Sequence, residues 1–210
     1  MCPRVEAPSR LCRGDPDYPA GLERLGDDAP AAIHLFGNAA LLREPVLGLF
    51  CSISAPGRVV VEAYDVARSL SRSGGTGAGG FQSPLEREVL DYLLHGSACA
   101  IVCPGRTLHA LRLPALWRRA LAASRLLLLS PFPPDLKRPT SAVSEERNRV
   151  VAAIASRLLF LHATPGGRLA RLAREAAGLG VPIHCLDHPA NEDLRVLGAE
   201  SLPRTGAALE

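Results

Sequence analysis

Apolar positions along this chain recur with two periods, and the two take turns. Largely apolar runs of strand length stand at 31–36, 46–53, 98–102, 125–129, 157–162 and 181–186, the one at 46–53 reading as continuous. Runs without alternation are expected of strands covered on both faces. Between them the spacing is helical. Val59, Ala63, Val66 and Leu70 predict a helix over 58–72. Leu85, Val89, Leu93 and Leu94 form the apolar stripe of the next helix. Ser83 is its N-cap, Pro84 its first residue, Glu86 completes a Ser-x-x-Glu capping box, and Gly96 ends it. Further helices are predicted over 113–123, over 144–155 with Val150, Val151 and Ile154 buried, over 168–177 closed by Gly178 or Gly180, and over 191–197. The glycine-rich stretch 73–80 shows no strand pattern of its own, and a short strand there stays an open alternative.

Strands separated by helices of this length imply an α/β fold: a Rossmann-like three-layer domain with a mostly parallel sheet and right-handed crossovers. Residues 1–30, rich in Pro, Gly and charge, are expected to form an irregular or short-helical lead-in. The domain is expected over 31–200 and a flexible tail over 201–210.

Composition narrows this picture. A chain of 210 residues that is 47% hydrophobic can bury one sizeable core. No apolar run reaches the length of about 18 residues that a membrane span needs. Residues 1–17 are polar and lack an apolar h-region, so no secretory signal is read and a cytoplasmic location is expected. The six cysteines, Cys2, Cys12, Cys51, Cys99, Cys103 and Cys185, show no Cys-x-x-Cys spacing; reduced, structural thiols are expected. A net charge of +3 does not by itself mark a nucleic-acid binder. Its distribution says more: Arg112, Arg118, Arg119, Arg125, Lys137, Arg138, Arg147 and Arg149 crowd the second half. Arginine suits bidentate phosphate contact, although a GC-rich genome produces the same bias.

In an open parallel sheet, ligands bind outside the carboxyl ends of the strands. That directs attention to the loops 51–57, 74–82, 103–107, 130–134 and 162–168. Gly79-Gly80 and Gly166-Gly167 each precede a helix, where free N–H groups and the positive dipole end favour phosphate. The bland alternative is that these glycines only make tight turns. Neither spacing is a dinucleotide fingerprint or a Walker loop, so no cofactor is expected. Arg147 and Arg149 are read as opening a helix, where cations oppose the dipole; an anion partner, or an ion pair with Glu145, Glu146 or another carboxylate, would offset that. Asn148 between them is a cap or holds a loop. The six histidines show no metal-ligand spacing. His162 and His184, at strand ends, are expected to be hydrogen-bonded structure. Ser52, Ser54 and Ser130 also end strands, with no nucleophile elbow around them. No catalytic constellation is found, and a non-enzymatic role is expected.

The order of segments resembles the DprA/Smf family, the DNA-processing proteins of bacterial transformation. The likeness begins at Tyr18-Pro19, Leu22, Leu25, Asp28-Ala29-Pro30 and Leu35-Phe36-Gly37-Asn38. It continues through Cys51-Ser52-Ile53 in place of a Gly-Ser-Arg strand end, through Gly79-Gly80 before the Pro84 helix, and through Ser130 to Pro134. Arg147-Asn148-Arg149-Val150-Val151 closely matches the family's Arg-Asn-Arg helix, and His162-Ala163 with Gly166-Gly167 falls on its last loop. The resemblance implies binding of single-stranded DNA in a basic pocket, delivery to a RecA-type recombinase, a homodimer and no established enzymatic activity. Phosphate contacts are then expected from Ser52, Gly79, Gly80, Ser130, Arg147, Asn148, Arg149, Gly166, Gly167 and Arg168. Phe81, Phe132 and Trp117 are the candidates for stacking on bases. The chain departs from the pattern at Ile53, which stands where the family has arginine, and at 81–85, which reads Phe-Gln-Ser-Pro-Leu instead of Ala-Arg-Gly-Ile-Asp.

Two rival readings share these loops. One is a non-catalytic sensor of a nucleotide-derived ligand. The other is a nucleoside monophosphate phosphoribohydrolase of the LOG type, whose Pro-Gly-Gly-x-Gly-Thr-x-x-Glu motif is matched only at Pro165-Gly166-Gly167. Ala173 stands in the place of its glutamate, so the acid–base group is missing.

Overall fold

The computed structural model describes residues 7–109 and 111–202. Strands β1 (Ser9–Cys12), β2 (Ala32–Gly37), β3 (Val46–Cys51), β4 (Thr76–Gly79), β5 (Cys99–Val102), β6 (Leu126–Ser130), β7 (Arg157–His162), β8 (Ile183–Leu186) and β9 (Glu200–Leu202) form one sheet in the order β1-β2-β6-β5-β4-β3-β7-β8-β9. At one edge β1 pairs antiparallel with β2 and β2 antiparallel with β6, and the remaining pairs are parallel. Helices α1 (Gly57–Ser73), α2 (Pro84–His95) and α3 (Ala115–Ala122) cover one face. Helices α4 (Ser141–Ile154) and α5 (Arg168–Gly178) cover the other, together with a 3-10 segment at Ala20–Asp28; a short helix α6 (Glu192–Val196) follows β8. This is the Rossmann-like α/β architecture that the alternating pattern implies.

The apolar runs end up buried on both faces: every residue of β3 and β6 is buried. Phe50 of β3 stacks on Phe160 of β7 with centroids 5.2 Å apart, beneath α4 and α5. The α2 start is as the sequence predicts. Ser83 Oγ accepts the Glu86 N–H at 3.2 Å, and the Glu86 side chain reaches back to the Ser83 N–H at 3.1 Å. Such a cap contributes about 1 kcal/mol.

Four expectations change. The stretch 73–80 does form a strand: β4 is hydrogen-bonded between β3 and β5. Its sparse side chains are what the site requires, because a Cβ on Gly77 would come within 2.9 Å of Leu93 and 3.1 Å of Leu49. Large neighbours fill the space that a strand normally fills itself. Second, α4 begins at Ser141, with Thr140 Oγ accepting the Val143 N–H, so Arg147 and Arg149 lie well inside the helix and the dipole argument lapses. Third, the first thirty residues contribute β1 to the sheet and the fully buried Leu22 to the core. Tyr18 adds to this by donating its hydroxyl to the Pro30 carbonyl at 2.6 Å. Fourth, Ser201 and Leu202 belong to β9 rather than to a flexible tail; 203–210, like Cys2, lie outside the described residues.

Cys12, Cys51, Cys99, Cys103 and Cys185 are free thiols, and burial pushes Cys51 and Cys103 up to about 12, far from the range of a reactive thiolate. No helix among the described residues is long and apolar enough to cross a membrane.

Candidate nucleic-acid interface

The strand order fixes where a ligand crevice lies. From β3 the chain moves outward one way through β4, β5 and β6, then returns to the other side of β3 with β7. The loops after β3 and β7 therefore diverge at the carboxyl edge, which is the switch point of the sheet. Ser52 ties them together there. Its N–H donates to the His162 carbonyl at 2.9 Å, and its hydroxyl accepts the Thr164 N–H at 2.9 Å. Helices α1 and α5 start on either side. Their N-cap residues, Pro56 and Gly167, provide no side-chain cap, so first-turn N–H groups face the rim. Gly166 turns at φ +67° into open space, and Gly167 packs against Thr164, where a Cβ would sit 2.9 Å from the carbonyl oxygen.

The next loop is built differently. Glu86 is buried and spans three backbone donors: Cys51 N–H at 2.8 Å, Gln82 N–H at 2.8 Å and Ser83 N–H at 3.1 Å. The anion position at the start of α2 is thus filled by the protein's own carboxylate. Sequence shows the capping half of this arrangement; the reach to Cys51 it does not show. Against Gly80 lies Arg147, 4% exposed. A Cβ on Gly80 would fall 0.7 Å from its Nη1 atom. Arg147 donates to the Ser144 carbonyl (3.4 Å), the Cys103 carbonyl (3.4 Å) and Gln82 Oε1 (3.2 Å), with no carboxylate in ion-pair contact among the described residues. Burial holds its guanidinium below the ordinary arginine value, while Cys103 and Glu86 oppose that. Arg147 is thus a buried cation joining the loops after β4 and β5 from below, not an exposed hand.

Asn148, Arg149 and Arg168 come together in a narrow cleft between α4 and α5. Arg149 pairs with Glu175 at 2.8 Å, while Arg168 shares Glu145 with Arg171 at 3.4 and 3.1 Å. Ser130 is fully buried; its hydroxyl donates to the Arg106 carbonyl at 2.9 Å and accepts the Phe132 N–H at 3.2 Å. The ten expected residues thus fall into four groups: Ser52, Gly166 and Gly167 at the switch point, Gly79, Gly80 and Arg147 beneath the neighbouring loop, the α4–α5 cluster, and Ser130 in the interior. Of the stacking candidates, Phe81 and Phe132 are buried and Trp117 is half-buried. Phe81 adopts φ 48°, a left-handed turn, and its ring packs against the core beside Gly79.

Three further cations stand on this rim that the sequence marks only as part of a basic second half (Lys137, Arg138) or of a rim loop (Arg106), not as expected phosphate contacts. Arg106 follows β5; Lys137 and Arg138 follow β6. Their loops are joined by Thr107 N–H donating to the Leu136 carbonyl at 2.8 Å. None of the three has a carboxylate partner among the described residues, and the buried Nε of Arg106 has no hydrogen-bond partner. The only signal in the sequence is that loops after β5 and β6 carry cations with little acid beside them.

His162 and His184, the two strand-end histidines, both have partners within the fold. His162 Nδ1 meets Asn191 Oδ1 at 3.0 Å. Asn191 Nδ2 is committed to the Leu161 and Leu186 carbonyls, so the His162 proton sits on Nδ1. His184 lies 3.7 Å from Glu200. Among the described residues no group of three or more His, Cys, Asp and Glu is placed to hold a metal ion. Ala173, where the phosphoribohydrolase motif has glutamate, is fully buried in the core.

The sequence model of the family described as DNA recombination-mediator protein A matches residues 9–210. No curated protein matches. Among solved structures, the chain is similar to DNA processing protein A (DprA) from Streptococcus pneumoniae, with a TM-score of 0.79, 18% identity, and coverage of 96% of this chain and 74% of that one. It is similar to DNA processing protein A from Helicobacter pylori, whose structure concerns a single-stranded DNA binding mode, with a TM-score of 0.75, 19% identity and coverage of 93% and 91%. A molybdenum cofactor carrier protein from Chlamydomonas reinhardtii follows at a TM-score of 0.55, 16% identity and coverage of 78% and 94%. At these identities the structural likenesses are likenesses of fold.

Proposed function

The chain belongs to the DNA recombination-mediator protein A family, and from that premise we propose that it binds single-stranded DNA along the carboxyl rim of its sheet, in the service of DNA uptake and recombination. The observation that carries the reading is the run of Arg106, Lys137 and Arg138 on two linked rim loops, without carboxylate partners among the described residues. It lies on the same edge as the uncapped starts of α1 and α5. Backbone N–H groups and unpaired cations hold phosphates without reading bases. Ser52, Gly166 and Gly167 would contact phosphates at the switch point. Gly79, Gly80 and Arg147 would act from beneath, Arg147 by lending positive potential to the rim and Gly80 by leaving room for it. Asn148, Arg149 and Arg168 would contribute once their glutamates exchange partners. Ser130 would hold the Arg106 loop. The family's description as a recombination mediator supports a RecA-type recombinase as the recipient of the strand, and the DprA/Smf resemblance supports a homodimer. The role is one of binding, with no reaction assigned.

The test is fluorescence anisotropy of labelled oligo-dT over a salt series, on the unaltered chain and on Lys137→Ala/Arg138→Ala. Log K is expected to fall linearly with log salt, and the double variant to lose about 1.4 from the slope, some 0.7 per phosphate contact on a single strand. Absence of binding at low salt overturns the reading. Competition by a mononucleotide as strong as by the oligomer favours the nucleotide-sensor alternative.

A further inference from the structure

The outer face of α1 and α2 carries a groove that serves neither the sheet nor the rim. Tyr64 of α1 and Tyr92 of α2 form its walls, with ring centroids 5.5 Å apart and planes tilted by 47°. Glu88, Asp91 and His95 complete the lining of an open space of about 430 Å³. Val61, 61% exposed, lies one turn before Tyr64 on the same helix face, and Tyr92 is itself 42% exposed. Large side chains left in water on adjoining helices forgo burial that a partner would supply.

The charges decide which partner. On α1 the other carboxylates are already matched within the helix: Glu62 pairs with Arg58 and Asp65 with Arg68. Among the described residues Glu88 takes only the Tyr64 hydroxyl, and Asp91 has no cation partner. His95 Nδ1 is turned to the Asp91 backbone carbonyl at 2.7 Å. What remains is two aromatic faces, negative by their quadrupole, flanked by two unmatched carboxylates. A planar guanidinium satisfies both at once: it lies on an aromatic face and donates in its own plane to a carboxylate. A lysine ammonium, compact and strongly hydrated, matches this less well.

We propose that the Tyr64–Tyr92 groove is a docking site for an arginine side chain of a partner protein. The two rings lie about two turns along α1 and α2 from the first residues of those helices, on their outer face, so a protein docked there leaves the rim free for a strand.

The test is calorimetric titration of the full chain with a blocked peptide of sequence Gly-Arg-Gly-Arg-Gly, with its lysine counterpart as the control of equal charge. The expected result is saturable binding, about threefold weaker for the lysine peptide and for Tyr92→Leu, which keeps an apolar side chain and removes the ring. Asp91→Asn is expected to weaken it about twofold. Both altered residues are exposed, and circular dichroism verifies that the helices are intact. Saturating oligo-dT leaves peptide binding unchanged. Undetectable peptide binding, or equal affinity in Tyr92→Leu, overturns the proposal. So does sedimentation showing a dimer that dissociates in Tyr92→Leu, which assigns the face to a second copy of the chain.

Discussion

Arg147 packs against Gly80, and the two cannot both carry side-chain atoms in that space: a Cβ on Gly80 would stand 0.7 Å from Nη1. The glycine makes room for a buried cation rather than for a ligand, and the cation links the loops after β4 and β5 through Gln82 and Cys103. Gly80→Ala is therefore expected to cost about 1–3 kcal/mol in urea unfolding, as overpacking does. In the Arg147→Ala background the same substitution is expected to cost less by at least about 1 kcal/mol, because the clash is gone. Additive losses in the double variant refute the contact.

Glu86 gathers the N–H groups of Cys51, Gln82 and Ser83 around one carboxylate. Glu86→Ala leaves buried donors unmatched, at about 1–3 kcal/mol for each that water fails to reach. Those donors also become an anion site at a helix start. Melting temperature is expected to drop sharply in chloride buffer and to recover in part with phosphate. An equal loss in both buffers means the donors have found other partners.

Two histidines set the acid limit. Burial holds His34 below its ordinary value, aided by neighbouring His109, 5.8 Å away, and by Arg10, while hydrogen bonding to the Ser130 and Phe132 backbone opposes; its Nδ1 is buried without a hydrogen-bond partner. Burial also lowers His184, with Arg157 adding and Glu200 opposing. The unfolded chain, with histidines near 6.5, binds protons before the folded one does. Stability is thus full above about pH 6.5, falls as pH drops below it, and levels once the folded values are passed. Thermal melts between pH 8 and 5 are expected to show this fall, and His34→Gln to flatten it. An unchanged profile in His34→Gln removes that residue from the account.

Ile53 is 81% exposed at the switch point, next to Ser52. Ile53→Arg is expected to leave stability unchanged, to tighten oligo-dT binding, and to steepen the salt slope by about 0.7. Anisotropy across a salt series measures both. No change in slope means the strand does not cross the β3–β7 crevice.

The sequence by itself determined the layers. Apolar runs demanded strands covered on both faces, and the stripe Val59, Ala63, Val66, Leu70 and the Ser83–Glu86 box placed α1 and α2. These signals are local, carried by residues within a turn or a strand of one another. What only the tertiary structure decided depends on residues distant in the chain. β4 exists because β3 and β5 supply its hydrogen bonds and Leu49 and Leu93 fill the space over Gly77, so its own residues carry no apolar signal. Glu86 meets Cys51 across 35 positions and Arg147 meets Gln82 across 65. The same motif residues that read as an exposed phosphate grip were divided by packing, Arg147 inward and Arg149 outward to Glu175. Periodicity tells a side chain which face it takes. Whether an acceptor or a ligand awaits it there depends on which loops the sheet order brings to one edge.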